Sequence, residues 1–217
     1  MKIKPVAALL WFAVSGTAQA ALHDRGGSLI YDDVLNVTWL QDANYGAGSI
    51  YDDGLDTTDG RMTWDNAKAW VERLSYGGFD DWRLPTVVDM GPPGCDWSSG
   101  GTDCGQNPVP ESGEMAYMYY VNLGNIEGAA LANVGPFINL QNYSYWYSTA
   151  SAAPAYPGEV WAFTNYGGIQ YEDPPDLDFH AWAVRDGDVA AVPEPETYAM
   201  MLVGLGLVGA AARRRCS

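Results

Sequence analysis

Basic residues, histidine and cysteine are scarce in this chain, and each scarcity excludes a class of function. Lysine and arginine number 11 among 217 residues, against 27 aspartates and glutamates, which gives a formal net charge of −16. Such a composition excludes a nucleic-acid-binding protein, because phosphate neutralisation requires clustered lysine and arginine. Histidine occurs only twice, and the G-x-S-x-G, H-E-x-x-H and P-loop motifs are absent. The sequence therefore predicts a protein that is not an enzyme.

The three cysteines are consistent with an exported protein. Cys95 and Cys104 enclose eight residues of a segment that contains little material for a core. In an oxidising compartment this spacing predicts one disulfide that closes a loop. Two free thiols or a metal-binding pair are the alternatives, and the lack of further cysteine or histidine nearby argues against zinc. Cys216 lies in the basic tail, where we expect no structural role.

The first 20 residues have the pattern of a secretory signal peptide. Lys2 and Lys4 supply the positive n-region, and residues 6–14 form the apolar h-region. Ala18-Gln19-Ala20 then provides a cleavage site of the small-x-small type. A buried N-terminal helix is the alternative interpretation. We predict that residues 1–20 form a signal helix and are removed on export.

The C-terminus carries a second targeting pattern. A Pro-Glu-Pro sequence precedes an apolar run over about 198–212, which predicts a short transmembrane helix. Fifteen helical residues rise about 22 Å, less than the ~30 Å of a bilayer core. A basic cluster follows and predicts that the chain end is cytoplasmic and the body is outside. The residues of the pattern are Pro193, Glu194, Pro195, Arg213, Arg214 and Arg215.

This tail, residues 191–217, resembles the PEP-CTERM sorting signal of Gram-negative bacteria. The resemblance implies a transient processing partner, exosortase, which cleaves near the Pro-Glu-Pro sequence. The protein would then be anchored in the membrane by its C-terminal helix until processing, and afterwards lie at the cell surface or in the extracellular matrix. A plain tail anchor is the alternative.

Periodicity along the rest of the chain predicts an α+β domain. Apolar residues at 3/4 spacing indicate a helix over residues 62–76, and a second helix is expected over 112–123. Short apolar segments bounded by turn residues indicate strands. These strands are expected at 28–31, 37–41, 145–149, 159–164, 168–171 and 181–185. The late strands favour a mostly antiparallel sheet.

Several motifs in this region occur in a recognisable order. They are Val37–Gln41, Thr63–Ala67, Gly78–Thr86, Tyr145–Thr149, Val160–Phe163 and Ala181–Arg185. Together they are similar to the Lcl C-terminal-like domain, and the Asp-Asp-Trp-Arg-Leu-Pro-Thr sequence is the most specific part. The resemblance covers roughly residues 28–188 and implies a C-type-lectin-like fold for a domain at 21–190. That fold is related to formylglycine-generating enzymes, which act through cysteines, but here the cysteine pair is expected to form a disulfide.

Two segments are dense in carboxylates and predict calcium binding. Calcium prefers several convergent oxygen ligands from flexible loops and is available outside the cell. The candidate ligands are Asp52, Asp53, Asp56 and Asp59 in the first segment, and Glu172, Asp173, Asp176 and Asp178 in the second. Neither segment has the spacing of an EF-hand. Two solvated acidic loops without a metal are the alternative.

Aromatic residues outside the regular elements are candidates for carbohydrate binding. Stacking of a sugar on a ring needs no positive charge, so it suits an acidic surface. The candidates are Trp97, Asn142, Tyr143 and Tyr145. We therefore expect an exported noncatalytic module that binds carbohydrate or extracellular polysaccharide. A structural matrix protein without a specific ligand and an unrecognised polysaccharide hydrolase are the two alternatives.

Overall fold

The computed structural model describes residues 22–89, 103–106, 110–152 and 157–189. The predicted signal peptide, Cys95, Trp97 and the whole C-terminal sorting segment lie outside the described residues. Cys104, which is described, is buried and disulfide-bonded. Its predicted pairing with Cys95 stays a prediction.

Two helices lie in the middle of the described chain, and the strands come before, between and after them. The strands are β1 (Leu22–Asp24), β2 (Leu29–Asp32), β3 (Val37–Leu40), β4 (Arg61–Met62), β5 (Gly105–Gln106), β6 (Ser144–Ala150), β7 (Val160–Thr164), β8 (Ile169–Asp173), β9 (Phe179–His180) and β10 (Val184–Asp186). The helices are α1 (Trp64–Glu72) and α2 (Glu114–Tyr117). A 3-10 turn at Pro110–Ser112 precedes α2, and a π-helical turn at Met118–Asn122 follows it.

The strands form two sheets. Strands β1-β2-β3-β10 make a four-stranded antiparallel sheet. A six-stranded sheet has the order β4-β9-β6-β7-β8-β5, and its pairings are antiparallel except for the parallel contact between β6 and β9. These observations confirm the predicted combination of two helices with a mostly antiparallel sheet.

The central strands of the larger sheet are buried on both faces. In β6, Tyr145 and Tyr147 belong to one hydrophobic cluster, whereas Trp146 belongs to another. Strand β7 repeats the alternation, with Trp161 on the first side and Ala162 on the second. Successive side chains of a strand point to opposite faces, so each strand contributes to two cores. This explains why the segments read as continuous apolar runs.

Helix α1 covers one of these cores and is shorter than the sequence predicts. Ala67, Trp70 and Val71 are its buried residues. Thr63 occupies the N-cap position without a side-chain capping bond, because its amide and hydroxyl bond the Asp53 carboxylate at 3.0 and 3.3 Å. The helix ends at Glu72 instead of residue 76, because the backbone N–H groups of Arg73 and Leu74 bond the carbonyls three residues earlier and form tighter turns before Gly77 and Gly78.

Helix α2 covers the other core. The predicted helix over 112–123 is present as an α-helical turn that widens into the π-helical turn. Met115, Met118 and Tyr119 are nearly inaccessible to solvent, at 1% each, and pack into the cluster that includes Tyr145. The widening shifts the tyrosine-rich end of the helix, because Leu123 donates its backbone N–H to the Met118 carbonyl five residues earlier.

Candidate functional site

An open cleft of about 640 Å³ lies along the larger sheet and is lined by residues of that sheet and its loops. The cleft lies where β6 begins and β7 ends, beside the loop that leads from β8 into β9. Arg61 reaches it from the sheet edge, because β4 pairs with β9 and sets Arg61 opposite His180. Segments distant in sequence therefore converge on one depression, a common position for a ligand site.

Two exposed tyrosines stand at the opening of the cleft. Tyr166 is 66% exposed and lies in the tight turn between β7 and β8, where its backbone N–H bonds Thr164 Oγ1 at 3.1 Å. Tyr143 is 42% exposed and is held edge-on by Phe179 and His180, with ring centroids 6.1 and 5.8 Å away. Exposed rings on a rigid turn and strand entry offer flat apolar surfaces to a ligand.

The single cation of the described cleft lining, Arg61, is neutralised within the fold. Its Nε and Nη2 both lie 2.6 Å from Asp59 Oδ2. Its guanidinium also lies over the Tyr143 ring, 5.5 Å from the centroid. The hydrogen bond with Asp59 and the one with Tyr143 raise the pKa of Arg61, although burial opposes them. Arg61 therefore orients Tyr143 more than it attracts anions.

Two carboxyl groups, Asp173 and Asp178, line the cleft without an internal partner. Within the described residues, neither side chain accepts a hydrogen bond. Burial raises the pKa of Asp173, and the nearby Glu159 raises it further. Burial also raises the pKa of Asp178, to which Asp53 adds, while Arg61 lowers it. Unpaired carboxyls with raised pKa values mark a place where the fold tolerates an unfavourable charge arrangement.

The inner wall of the cleft carries polar side chains that form hydrogen bonds with each other. Ser144 and Tyr171 share a hydrogen bond of 2.5 Å between their hydroxyl oxygens. Burial raises the pKa of Tyr171, so its hydroxyl stays protonated at neutral pH. This wall supplies a neutral hydrogen-bonding surface.

His180 lies behind the cleft and has a structural role. Its Nδ1 is 3.0 Å from Asn44 Oδ1, and its ring packs on Tyr145 with centroids 5.2 Å apart. Burial lowers the pKa of His180 to about 4. The imidazole is therefore neutral at physiological pH and enclosed by rings.

The residues predicted to bind carbohydrate have different positions. Asn142 and Tyr143 line the cleft. Tyr145 does not, because it is fully buried and its hydroxyl accepts the backbone N–H of Gln141 at 2.8 Å. It is buried because β6 is covered on both faces, so that its side chains enter one core or the other. Trp97 lies outside the described residues.

The first acidic segment uses its carboxylates for its own loop. Asp52 is buried and accepts the backbone N–H groups of Gly48 and Gly60, each at 2.8 Å. Asp56 accepts the amide of Thr58 at 3.0 Å. Asp53 and Asp59 bond Thr63 and Arg61, as described above. These contacts are typical of tight turns that carry aspartate.

The second acidic segment lies next to the first. Glu172 accepts a short hydrogen bond from the Ser151 hydroxyl, and Asp176 is exposed. Proximity of the two segments is shown by Asp53 and Asp59 of the first segment, both of which raise the pKa of Asp178 in the second. In the part of the chain that the structure describes, no group of three or more histidine, cysteine, aspartate or glutamate side chains is arranged to hold a metal ion. Calcium binding stays a prediction.

Arg61, Tyr166 and Tyr171 belong to the cleft but were not predicted. The Asn-Tyr-Gly-Gly sequence at 165–168 indicates that Tyr166 is exposed, since an aromatic residue in a turn between two strands lies at the surface, away from the core. No comparable local signal exists for Arg61 or Tyr171, because tertiary pairing brings them to the cleft.

Comparison with known proteins identifies the C-terminal targeting pattern. Residues 191–215 match the PEP-CTERM protein-sorting motif. The motif implies export, a membrane-anchored C-terminal sorting signal and processing by exosortase. Among curated proteins no match was found. Within the described ranges, the helices are too short or too polar to cross a membrane.

Proposed function

We propose that the exported domain, residues 21–190, is a noncatalytic carbohydrate-binding module of the cell surface or extracellular matrix. The observation that carries the proposal is the cleft, whose lining combines the exposed Tyr166 ring with the unpaired carboxyls of Asp173 and Asp178. We further propose that the domain has the C-type-lectin-like fold of the Lcl C-terminal-like family.

The chemistry of the cleft suits a sugar. A pyranose presents an apolar C–H face to an aromatic ring and hydroxyl donors at its edge. Tyr166 and Tyr143 offer rings, while Asp173 and Asp178 offer acceptor oxygens that no described residue uses. Carboxylates accept two hydroxyls at once, and such charge-assisted bonds are stronger than neutral ones. The PEP-CTERM motif supports the location, since it implies export.

The fold proposal is supported by the segment that carries the family resemblance. Trp82 and Leu84 are buried at 4% and 1% exposure. Between them, Arg83 exchanges two backbone hydrogen bonds with Val184 on the last strand, at 2.8 and 2.9 Å. The motif thereby fastens the middle of the chain to its end.

A polysaccharide hydrolase is the second candidate, and one observation favours it. Two carboxyls in one cleft are a feature of glycosidases, in which a carboxyl with a raised pKa, as found here, donates a proton while the other acts as a carboxylate. Release of reducing ends from a polysaccharide by the purified chain would establish this candidate in place of the binding module.

The test is glycan-array binding by the full chain, exported to an oxidising compartment and purified in mild detergent. We expect binding to a defined set of glycans, lost in Tyr166→Ala. The matched control is Tyr45→Ala, because Tyr45 is similarly exposed, at 44%, but lies outside the cleft lining. Binding that survives Tyr166→Ala would contradict the assignment of the cleft. Absence of binding in both calcium and EDTA would favour the structural matrix protein without a ligand.

A further inference from the structure

The net charge of the cleft points to the class of glycan. Asp173 and Asp178 contribute two carboxyls to its lining, and the charge of Arg61 is cancelled by its ion pair with Asp59 at 2.6 Å. An anionic ligand would therefore meet uncompensated carboxylates and no available cation within the described lining.

The surroundings of the cleft reinforce this negative potential. Glu159 acts on Asp173, and Asp53, Asp59 and Asp176 act on Asp178. Mutual repulsion between like charges is relieved when a cation binds among them. The cleft therefore gains more from a positively charged ligand than from a neutral one of the same shape.

The arrangement suits an organic cation better than a metal ion. The described residues contain no group of three or more side chains arranged for a metal. An ammonium group requires less: hydrogen-bond acceptors for its N–H groups and an aromatic face nearby. Asp173 and Asp178 provide acceptors, and Tyr166 provides an exposed ring on the same cleft.

We infer that the cleft selects polysaccharides with free amino groups, whose ammonium groups are accepted by Asp173 and Asp178 at separate points along the cleft while one sugar ring of the chain packs on Tyr166. This inference rests on the proposed carbohydrate-binding function and narrows its ligand class. An N-acetylated sugar keeps the ring but loses the charge. A uronic acid reverses the charge and is rejected by the same carboxyls.

The test compares three oligosaccharides of equal length by titration calorimetry with the full chain near pH 6. The probes are a fully deacetylated glucosamine hexamer, its N-acetylated form and a galacturonate hexamer. We expect the amino hexamer to bind about tenfold or more tightly than the N-acetylated one, and no binding of the galacturonate. The preference should shrink at high salt, because an open cleft is screened.

Variants separate specific recognition from attraction of a polycation to an acidic protein. Asp173→Asn together with Asp178→Asn should abolish the preference, so that the amino and N-acetylated hexamers bind the variant with the same, weakened affinity. Asp80→Asn is the control, because Asp80 is exposed and outside the cleft lining. Equal loss in the control would show nonspecific attraction and overturn the inference.

The outcomes also separate a failure of the amino-group selectivity from a failure of the proposed carbohydrate binding. Binding of the N-acetylated and amino hexamers with equal affinity would overturn the amino-group selectivity and leave the carbohydrate-binding module intact. Failure of every glycan, both in this titration and on the array, would overturn the selectivity and the proposed function together.

Discussion

Arg83 and Glu114 form a two-pronged ion pair across 31 residues of sequence, with both N–H···O distances at 2.8 Å. The same carboxylate accepts the backbone N–H of Thr86 at 2.6 Å, and Arg83 Nη2 also bonds Asp186 at 2.5 Å. Burial alone would lower the pKa of Arg83, but the bonds with Glu114 and Asp186 raise it above the ordinary value. One guanidinium therefore joins the central loop, helix α2 and the last strand.

Arg83→Met should lower the free energy of unfolding by about 2–4 kcal/mol, because it leaves Glu114 largely buried without its cation. The measurement is urea denaturation at neutral pH. Arg25→Met is the matched control, since the Arg25–Asp188 pair also has two hydrogen bonds, at 2.8 and 2.7 Å, but its carboxylate is more exposed, at 44% against 13% for Glu114. We expect a much smaller loss there, because water screens an exposed ion pair. Equal losses would contradict the anchoring role.

Gly60→Ala should destabilise the domain more than Gly48→Ala. Both glycines have positive φ, +84° and +73°, and both donate their backbone N–H to Asp52. A Cβ at Gly60 would overlap the side-chain amide of Asn44, whereas one at Gly48 would meet open space. We expect about 1 kcal/mol for Gly48→Ala from the backbone alone, and roughly 2–4 kcal/mol for Gly60→Ala. Thermal unfolding of both variants measures the difference, and equal losses would contradict the crowding at Asn44.

Local sequence patterns predict where the strands and helices of this fold lie better than they predict which core each side chain enters. The apolar runs around Trp146 and Trp161 identify strands β6 and β7, but a strand buried on both faces does not indicate which side chain meets which core. For this reason Tyr145 resembles a surface ring in the sequence and lies in the core of the structure. Helix α1 is shorter than predicted, because Arg73 and Leu74 make hydrogen bonds to carbonyls three residues earlier instead of four, ahead of Gly77 and Gly78.

The cleft is only half predictable for a related reason. Asn142 and Tyr143 precede a strand, and their polar and aromatic character already indicates an exposed site. Arg61 enters the cleft through the pairing of β4 with β9, a contact between segments more than 100 residues apart. Contacts of that separation depend on the packing of the whole domain and have no local signature.

Cys104→Ser should lower the free energy of unfolding by about 2–3 kcal/mol, the value expected for closing a short loop. Cys104 is disulfide-bonded and only 1% exposed, so the change also disturbs the core. Cys216→Ser is the control and should leave stability unchanged. Peptide mapping under non-reducing conditions should find Cys95 joined to Cys104, and a link from Cys104 to Cys216 would contradict the predicted pairing.

Asp173→Asn should stabilise the domain at neutral pH, which is unusual for a change in a functional cleft. The pKa of Asp173 is raised above its ordinary 3.8, so the folded state binds its proton more tightly than the unfolded state does. The free energy of unfolding therefore falls as pH rises from the pKa of Asp173 in the unfolded state to its higher pKa in the folded state. Above both pKa values the ionised carboxylate destabilises the fold by its full amount. Asparagine cannot ionise, so the variant lacks this destabilisation. We expect a rise in Tm on the order of 1–2 °C at pH 7, which disappears near pH 3.

Asp188→Asn provides a control of opposite sign in the same scans. The hydrogen bond with Arg25 lowers the pKa of Asp188, so this carboxylate stabilises the fold above its unfolded pKa, and its replacement should lower Tm at pH 7. Both differences should vanish in acid. A fall in Tm for Asp173→Asn would mean that the carboxyl is satisfied within the fold, which would remove it from the binding site. A rise would show that the cleft keeps a carboxyl at the expense of stability, as binding sites commonly do.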